Sequence, residues 1–305
     1  MLCSYTPNKT LRLKVENACN LRCAFCHAEG NCNAERMAVD QVNEILDFAD
    51  RYGYTKIHLT GGEPTLHPLI DDIVQACTLR EKSCAITSNG QCKPTVIEKL
   101  RSAGLQSINF SLPTIRPDSW SRLQKGASVK TSAKQIGNVL RSIEFSILQG
   151  LRTKVNIVVG DNTDEAIEVI EYLDNALVEI RLLNILGSDM SLVSIDEVLD
   201  RFDAKFLDEI ATMGSSQVKQ IYDSKIGRLV IKAIGSYNLP SVCKDCKLKC
   251  EEGVYGIRFE VSKGKIFARF CVQHVGGRAI VRLDELPNSE QFCEIYRDSG
   301  IPAIN

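Results

Sequence analysis

The stretch that decides the fold is TLRLKVENACNLRCAFC, residues 10–26, in which a short alternating segment leads into three closely spaced cysteines. Residues 10–15 alternate apolar and polar side chains, which is typical of a β-strand. Cys19, Cys23 and Cys26 follow at spacings of four and three residues. Cysteine thiolates are the usual ligands of iron–sulfur clusters, and three of them leave one iron of a 4Fe-4S cube open. The stretch therefore predicts a cluster in the loop that follows a strand.

Two other uses of these cysteines remain open from the residues alone. Cysteine packs as a small buried hydrophobe, so the three side chains could share one face of a helix. They could also bind a structural zinc ion. A closed zinc site takes four protein ligands, and the adjacent His27 is the nearby residue that could be the fourth.

The composition is that of an ordinary globular protein with an unusual number of cysteines. The chain has 305 residues, 44% hydrophobic and 25% charged, which is enough for one large or two modest domains. Its net charge of −1 gives no reason to expect broad attraction to nucleic acid or to a membrane. The sequence begins without an apolar leader, and its 13 cysteines favour metal or redox use over a disulfide framework, so we expect a cytoplasmic protein.

Strand-like and helix-like segments alternate about six times before residue 190, with a last helix expected over 195–213. Such alternation predicts an α/β fold with a parallel sheet built from right-handed crossovers. Six units suit a partial (β/α)6 barrel, open and TIM-like, better than a closed eight-fold barrel. Side chains that follow the strands would then meet at one rim of the barrel.

The pattern changes after about residue 225, where two strand-like runs flank Ser262-Lys263-Gly264 and indicate a β-hairpin. Cysteines lie before and after this hairpin. We therefore predict a barrel over residues 1–225 and a small C-terminal module over residues 226–305.

The module contains a second set of cysteines at metal-ligand spacing, namely Cys243, Cys246, Cys250 and Cys271. Such a set can bind zinc or an iron–sulfur cluster, and the spacing does not choose between them. Cys293 could replace one of the four as a ligand.

Polar segments follow several of the predicted strands. Gly61, Gly62, Glu63 and Pro64 come after the second strand, where glycines allow close backbone approach and a carboxylate can accept from an ammonium group. Ser88 and Asn89 end the third strand, and Ser111 ends the fourth. Taken singly, each of these segments could equally be an ordinary polar turn.

The cysteine triplet, with Phe25 just before its last member, resembles the signature of the radical S-adenosylmethionine (radical SAM) superfamily. The resemblance implies that Cys19, Cys23 and Cys26 hold a 4Fe-4S cluster whose open iron binds S-adenosylmethionine. Reductive cleavage then yields a 5'-deoxyadenosyl radical, which abstracts hydrogen from a substrate. The resemblance also implies cofactor-binding roles for a set of strand-end residues: Phe25, Gly61, Gly62, Glu63, Pro64, Ser88, Asn89 and Ser111.

Within the superfamily, residues 10–190 are similar to the GTP 3',8-cyclases of molybdenum cofactor biosynthesis. That similarity implies a substrate-phosphate clamp of Arg12, Lys56, Lys154 and Arg181, residue types that suit phosphate. The superfamily often carries an auxiliary C-terminal module, which implies a second 4Fe-4S cluster on Cys243, Cys246, Cys250 and Cys271.

Three features depart from the cyclase pattern: four module cysteines instead of three, a last segment GIPAIN instead of Gly-Gly, and only Arg258 for an arginine-rich stretch. We therefore expect a relative of the cyclases that acts on a small phosphorylated nucleoside or sugar in cofactor or natural-product biosynthesis. A flavodoxin- or ferredoxin-type protein would supply electrons, and no nucleic acid or membrane partner is expected.

Three other functions stay open. One is a peptide-modifying radical SAM maturase, and a second is a radical SAM dehydrogenase whose auxiliary cluster accepts an electron. The third is a non-enzymatic iron–sulfur or zinc protein, which would leave the Gly61–Pro64 segment without a role.

Overall fold

The computed structural model describes residues 3–24, 26, 35–160, 163–174, 177–184, 189–247, 250, 253–273 and 276–302, with the backbone alone for 189–193. The strands are β1 (Ser4–Thr6), β2 (Thr10–Glu16), β3 (Lys56–Gly61), β4 (Ser83–Ser88), β5 (Ser107–Ser111), β6 (Arg152–Val159), β7 (Val178–Asn184), β8 (Lys205–Thr212), β9 (Gln217–Ser224), β10 (Gly227–Ile234), β11 (Arg258–Ser262), β12 (Lys265–Arg269) and β13 (Ile280–Arg282). The α-helices are α1 (Val39–Arg51), α2 (Ile70–Leu79), α3 (Pro94–Ser102), α4 (Pro117–Leu123), α5 (Val129–Leu148), α6 (Thr163–Tyr172), α7 (Asp189–Arg201), α8 (Pro240–Cys243) and α9 (Glu290–Asp298).

Six neighbouring parallel strands, β2 to β7, form the centre of the molecule, and helices separate them along the chain. They belong to one curled sheet of 13 strands, in the order β1-β8-β9-β10-β7-β6-β5-β4-β3-β2-β11-β12-β13. The predicted fold, an open partial (β/α)6 barrel, is confirmed. Its strand ends place the loops after β2, β3, β4 and β5 at one rim.

The alternation in β2 sorts its side chains between the two faces of the sheet. Leu11, Leu13 and Val15 are fully buried in the main hydrophobic core. Arg12, on the opposite face, lines the cavity inside the barrel. This two-residue period is what directs polar groups into the barrel and apolar groups towards the helices.

The helix expected over 195–213 is wrong in its second half. Helix α7 ends at Arg201, the chain turns through Asp203 at a φ of 47°, and β8 follows. The apolar spacing of 206–211 suits either structure, and pairing of Phe206 and Ile210 with distant residues of β9 decides for the strand. The antiparallel strands β8, β9 and β10 were therefore missed from sequence.

These strands extend the barrel beside β7, with β10 parallel to β7 and β9 antiparallel to β10. On the other margin of the sheet, β11 is parallel to β2. Gln217 of β9 bridges the two margins, since its Oε1 accepts from Arg12 Nη2 at 3.4 Å and its Nε2 donates to the Tyr255 carbonyl at 2.8 Å.

The C-terminal hairpin occurs where the sequence predicts it. Ser262 pairs with Lys265, and Lys263 and Gly264 between them have φ angles of 50° and 72°. Both positive values suit a tight hairpin turn that matches the twist of the strands. Because β11 also pairs with β2, the hairpin continues the barrel sheet, and the proposed boundary near residue 225 stays a prediction.

No helix in the described part of the chain has the length and apolar character that crossing a bilayer requires.

Candidate active site

A cavity of about 360 Å³ opens at the carboxyl ends of the barrel strands. It brings together residues that the sequence analysis took from separate motifs. The predicted residues that line it are Arg12, Cys19, Cys23, Cys26, Gly61, Gly62, Glu63, Ser88, Asn89 and Ser111. Phe25 lies outside the described residues, and Pro64 is buried just beside Glu63.

The two glycines after β3 let the backbone pack directly against the start of the cysteine loop. A Cβ at Gly61 would lie 2.1 Å from the Glu16 carbonyl oxygen, and one at Gly62 would lie 2.3 Å from that of Ala18. The amides of Gly62 and Glu63 donate to these same two oxygens, at 2.7 and 2.8 Å. The Gly-Gly-Glu segment and the cysteine loop therefore form one rigid unit.

The carboxylate of Glu63 is buried and ties this unit to the end of β4. It accepts from the backbone and hydroxyl of Thr65, from the Ser88 hydroxyl at 2.9 Å and from the Asn89 amide at 2.6 Å. Burial raises the pKa of Glu63, and these hydrogen bonds oppose that shift. A cationic ligand group beside it would favour the charged form.

A second buried carboxylate, Glu16, closes the base of the cysteine loop. It accepts from the Ala18 amide at 2.9 Å and pairs with Arg36 Nε at 2.5 Å. Glu16 and Arg36 also form a backbone bridge. The two ends of the loop are thus held together on the strand that carries it.

Two amide side chains contact the cysteine sulfurs. Asn89 Nδ2 lies 3.7 Å from Cys19 Sγ, and Gln124 Nε2 donates to Cys23 Sγ at 2.9 Å. Gln124 Oε1 also accepts from the Arg22 amide at 2.9 Å. This buried side chain, just after α4, therefore forms hydrogen bonds to two residues of the cysteine loop. Burial raises the pKa of both Cys19 and Cys23. Gln124 was missed from sequence because it is 101 residues away from Cys23.

The inner wall of the cavity is cationic. Arg258, Arg12 and His58 are register neighbours on β11, β2 and β3, and all three line the cavity. His58 points into the barrel, where its Nε2 is 2.8 Å from Thr87 Oγ1. Burial, followed by the charge of Arg12, holds the pKa of His58 well below its usual value.

The four predicted clamp residues are not placed alike. Arg12 lines the cavity, whereas Lys154 and Arg181 lie on inward faces of β6 and β7, outside the cavity lining. Arg181 is buried and pairs with Glu179 at 2.5 Å. Lys56 is exposed at the start of β3, away from the rim.

The second cysteine set converges as well. Cys243, Cys246, Cys250 and Cys271 all line a pocket of about 110 Å³ between α8 and the end of the β11–β12 hairpin. Burial raises the pKa of Cys243, and its three partner thiols add to that shift. Cys293 is exposed on α9 and does not line this pocket.

Donor chemistry is the basis for assigning a cluster to the first site. Within the described ranges, no set of three or more His, Cys, Asp or Glu side chains is placed to hold a metal ion. The three thiols of the triplet nevertheless line one cavity, and amide donors face two of them, which fits the ligand shell of an iron–sulfur cluster.

Residues 13–173 match the domain described as the Radical SAM superfamily. The chain belongs to this superfamily. As a radical SAM enzyme it uses a 4Fe-4S cluster and S-adenosylmethionine, and the superfamily expectation from the cysteine triplet is confirmed.

Curated relatives of this radical SAM enzyme are GTP 3',8-cyclases. That of Staphylococcus saprophyticus is 28% identical over 85% of this chain and 81% of its own length. That of Alkaliphilus oremlandii is 30% identical over 77% of this chain and 75% of its own length. The expected similarity to this family is therefore confirmed.

Solved structures share the fold at low sequence identity. Streptococcus suis SuiB superposes with a TM-score of 0.57 at 15% identity, covering 94% of this chain and 67% of SuiB. Methylornithine synthase (PylB) has a TM-score of 0.51 at 16% identity, covering 65% of this chain and 63% of its own.

Removing the Gln124 amide should change the cluster's electronic properties more than its assembly. Hydrogen bonds to cluster sulfurs favour the reduced, more negative state, so Gln124→Leu should lower the midpoint potential, on the order of 50 mV. Gln124→Glu keeps an oxygen for the Arg22 amide and should lower the potential further. Potentiometric EPR titration measures both, with exposed Gln75→Leu as control. Potentials unchanged from wild type would contradict this role.

Proposed function

We propose that this radical SAM enzyme abstracts a hydrogen atom from a small phosphorylated nucleoside or sugar, in cofactor or natural-product biosynthesis. The observation that carries the proposal is the row of Arg258, Arg12 and neutral His58, whose two arginines carry positive charge in the same cavity as the cysteine triplet. A substrate held by this row would lie next to the radical source.

Adjacent arginines of like charge are costly unless something neutral or negative lies between them. Arg12 and Arg258 are register partners, and the planar guanidinium fork suits bidentate binding of phosphate oxygens. A phosphate at this row could accept hydrogen bonds from both guanidinium groups. Lys154 and Arg181, deeper in the barrel, would add to the positive potential around it.

The relatives support the same substrate class, since they are named for a reaction of GTP. The fourth module cysteine, one of the three departures from the cyclase pattern, suggests a different role for the second cysteine set. We therefore propose a cyclase relative with a different reaction outcome.

When bound, the cluster and S-adenosylmethionine supply the radical that removes the hydrogen atom. Cys19, Cys23 and Cys26 would hold three irons, and the Gly61–Glu63 backbone together with Ser88, Asn89 and Ser111 would position S-adenosylmethionine against the fourth. The walls of the barrel exclude water from the reacting atoms.

A second 4Fe-4S cluster on Cys243, Cys246, Cys250 and Cys271 is part of the proposal. Its support is the pocket that these four residues share, together with a neighbourhood of lysines at 244 and 247 that would offset cluster charge. Four cysteine ligands would leave this cluster without an open iron, which suits electron transfer. A flavodoxin- or ferredoxin-type donor would reduce the first cluster.

The test is 5'-deoxyadenosine formation by the anaerobically reconstituted, reduced protein in the presence of matched compound pairs. Each pair contains a nucleoside or sugar and its phosphate ester. We expect one phosphorylated compound to stimulate cleavage at least tenfold over its unphosphorylated partner, and Arg12→Gln to raise the half-saturating concentration by a similar factor. Equal stimulation by both members of every pair would refute the phosphate assignment. Exposed Arg51→Gln on α1 is the control.

A further inference from the structure

Two lysines of the added strands lie on the same face of the sheet, Lys232 in the cavity lining and Lys219 exposed outside it. Lys219 of β9 and Lys232 of β10 are direct register partners, so their side chains leave the same face of the sheet. Lys232 lines the cavity next to Ile234, two residues further along its strand. Neither lysine belongs to the clamp expected from sequence.

This pair is electrostatically unfavourable as it stands. Like charges directly opposite each other on neighbouring strands destabilise a sheet. Neither Lys219 nor Lys232 forms an ion pair within the described residues. The other barrel strands place Arg12, Lys154 and Arg181 around Lys232, with Glu179 bonded to Arg181. Arg258 and neutral His58 line the same cavity.

Burial and neighbouring cations disfavour the charged form of two inward lysines. Burial, followed by the charges of Arg12 and Arg181, lowers the pKa of Lys232 to about 7. Burial and Arg181 lower that of Lys154 to about 8, against the opposing charge of Glu179. A bound anion beside Lys232 would favour its charged form.

An unpartnered acceptor lies on the wall of the same cavity. Asn156 Oδ1 of β6 is buried and has no hydrogen-bond partner among the residues that the structure describes, and Asn156 lines the cavity. Behind it, Asn109 Oδ1 is also buried and unpartnered, and Asn109 Nδ2 donates to Thr87 at 3.3 Å. Burying an acceptor without a hydrogen bond costs free energy, so a ligand that presents a hydroxyl or an N–H to these oxygens would be favoured.

We propose that Lys232, with Lys219 behind it, determines substrate specificity by binding an oxyanion of the substrate, while Asn156 accepts a hydrogen bond from a hydroxyl or N–H beside that oxyanion. The inference rests on the proposed function in taking this cavity as the substrate site. It extends the proposed substrate site from the arginine row to Lys232 of β10. The ligand is a hydroxylated compound with an anionic group, of which a sugar phosphate is the simplest example.

The experiment is calorimetric titration of the anaerobically reconstituted protein with three probes: sulfate, glycerol 3-phosphate and glycerate. Lys232→Met should weaken the binding of sulfate and of glycerol 3-phosphate at least tenfold, and Lys232→Arg should restore most of it. Asn156→Ala should weaken glycerol 3-phosphate several-fold more than sulfate, which offers no donor. Lys205→Met, an exposed change on β8, should match wild type.

Proton uptake separates a direct contact from a structural effect. Sulfate does not titrate near neutral pH, so binding above pH 7 should draw a proton onto Lys232, and the measured heat should depend on the buffer's ionisation enthalpy. Lys232→Arg should bind sulfate with less proton uptake. The Lys232→Met variant should still fold. Its thermal unfolding temperature should be higher than that of wild type, because the substitution removes a buried ammonium group that has no ion-pair partner among the described residues.

Affinities for all three probes within twofold of wild type in Lys232→Met would overturn the inference. If glycerate responds to Lys232→Met and the two other probes do not, Lys232 binds a carboxylate and the phosphate class is wrong. Absence of 5'-deoxyadenosine formation in the wild type would refute the proposed function separately, since the anion titrations do not depend on cleavage.

Discussion

Replacing Cys19, Cys23 or Cys26 by alanine is expected to abolish 5'-deoxyadenosine formation while the protein still folds. Each thiolate would ligate one iron of the cluster, so loss of one leaves an iron without its protein ligand. Cys19 and Cys26 are exposed to the cavity, and Cys23 is partly buried, so their removal leaves no large void in the core. Cleavage should fall below detection, at least a thousandfold. Product analysis by chromatography measures it directly.

Iron content of the same variants tests the second cluster. With all three cysteines replaced, the protein should retain about four irons, because one intact cube on Cys243, Cys246, Cys250 and Cys271 remains. Cys3→Ala changes a cysteine that lines neither pocket and should keep wild-type iron and cleavage. Normal cleavage in any single triplet variant would contradict the cluster assignment. An iron-free triple variant from a wild type with about four irons would contradict the second cluster.

Gly62→Ala is expected to reduce 5'-deoxyadenosine formation nearly as much as the cysteine substitutions do, although it removes no ligand of the cluster. The added methyl would lie 2.3 Å from the Ala18 oxygen and 2.7 Å from that of Asn17, and neither backbone atom can yield without moving Cys19. We expect most of the cluster and nearly all cleavage to be lost, with the unfolding free energy reduced by about 1–3 kcal/mol. Iron analysis, product analysis and thermal unfolding give the three values.

A glycine elsewhere provides the matched control. Gly137 lies within α5, and a Cβ there would meet only the flexible end of Arg141 at 3.4 Å. Gly137→Ala should therefore keep cleavage and stabilise the helix by about 0.5–1 kcal/mol. If Gly62→Ala retains wild-type iron and cleavage, the close approach of the two loops is not required for the site.

The sequence predicts those parts of the site that depend on neighbouring residues in the chain. The cysteine triplet, the Gly61–Glu63 segment and the hairpin turn at Lys263-Gly264 are local patterns, and each occurs where expected. The six-fold alternation likewise predicts the barrel, because each strand–helix unit repeats the same local rule.

What the sequence does not predict comes from residues that only the curled sheet brings together. Gln124 reaches Cys23 across 101 positions, and Lys232 enters the cavity only because β10 lies beside β7. The alternation along β3 does not tell which face of the sheet lines the barrel, so the sequence alone does not place the side chain of His58 in the cavity. Nor does the sequence predict that Thr65, Ser88 and Asn89 donate hydrogen bonds to the carboxylate of Glu63, which lines the cavity.

The position of β1 has a consequence for how the chain is made. Ser4–Thr6 pair with residues 210–212 of β8, whereas β2 begins only four residues after β1 ends and pairs with β3. During synthesis the first strand must therefore wait until about two-thirds of the chain has left the ribosome, and long-range pairing of this kind forms late. The cavity is also completed late, because Lys232, Tyr255 and Arg258 of its wall all follow residue 212 in the chain.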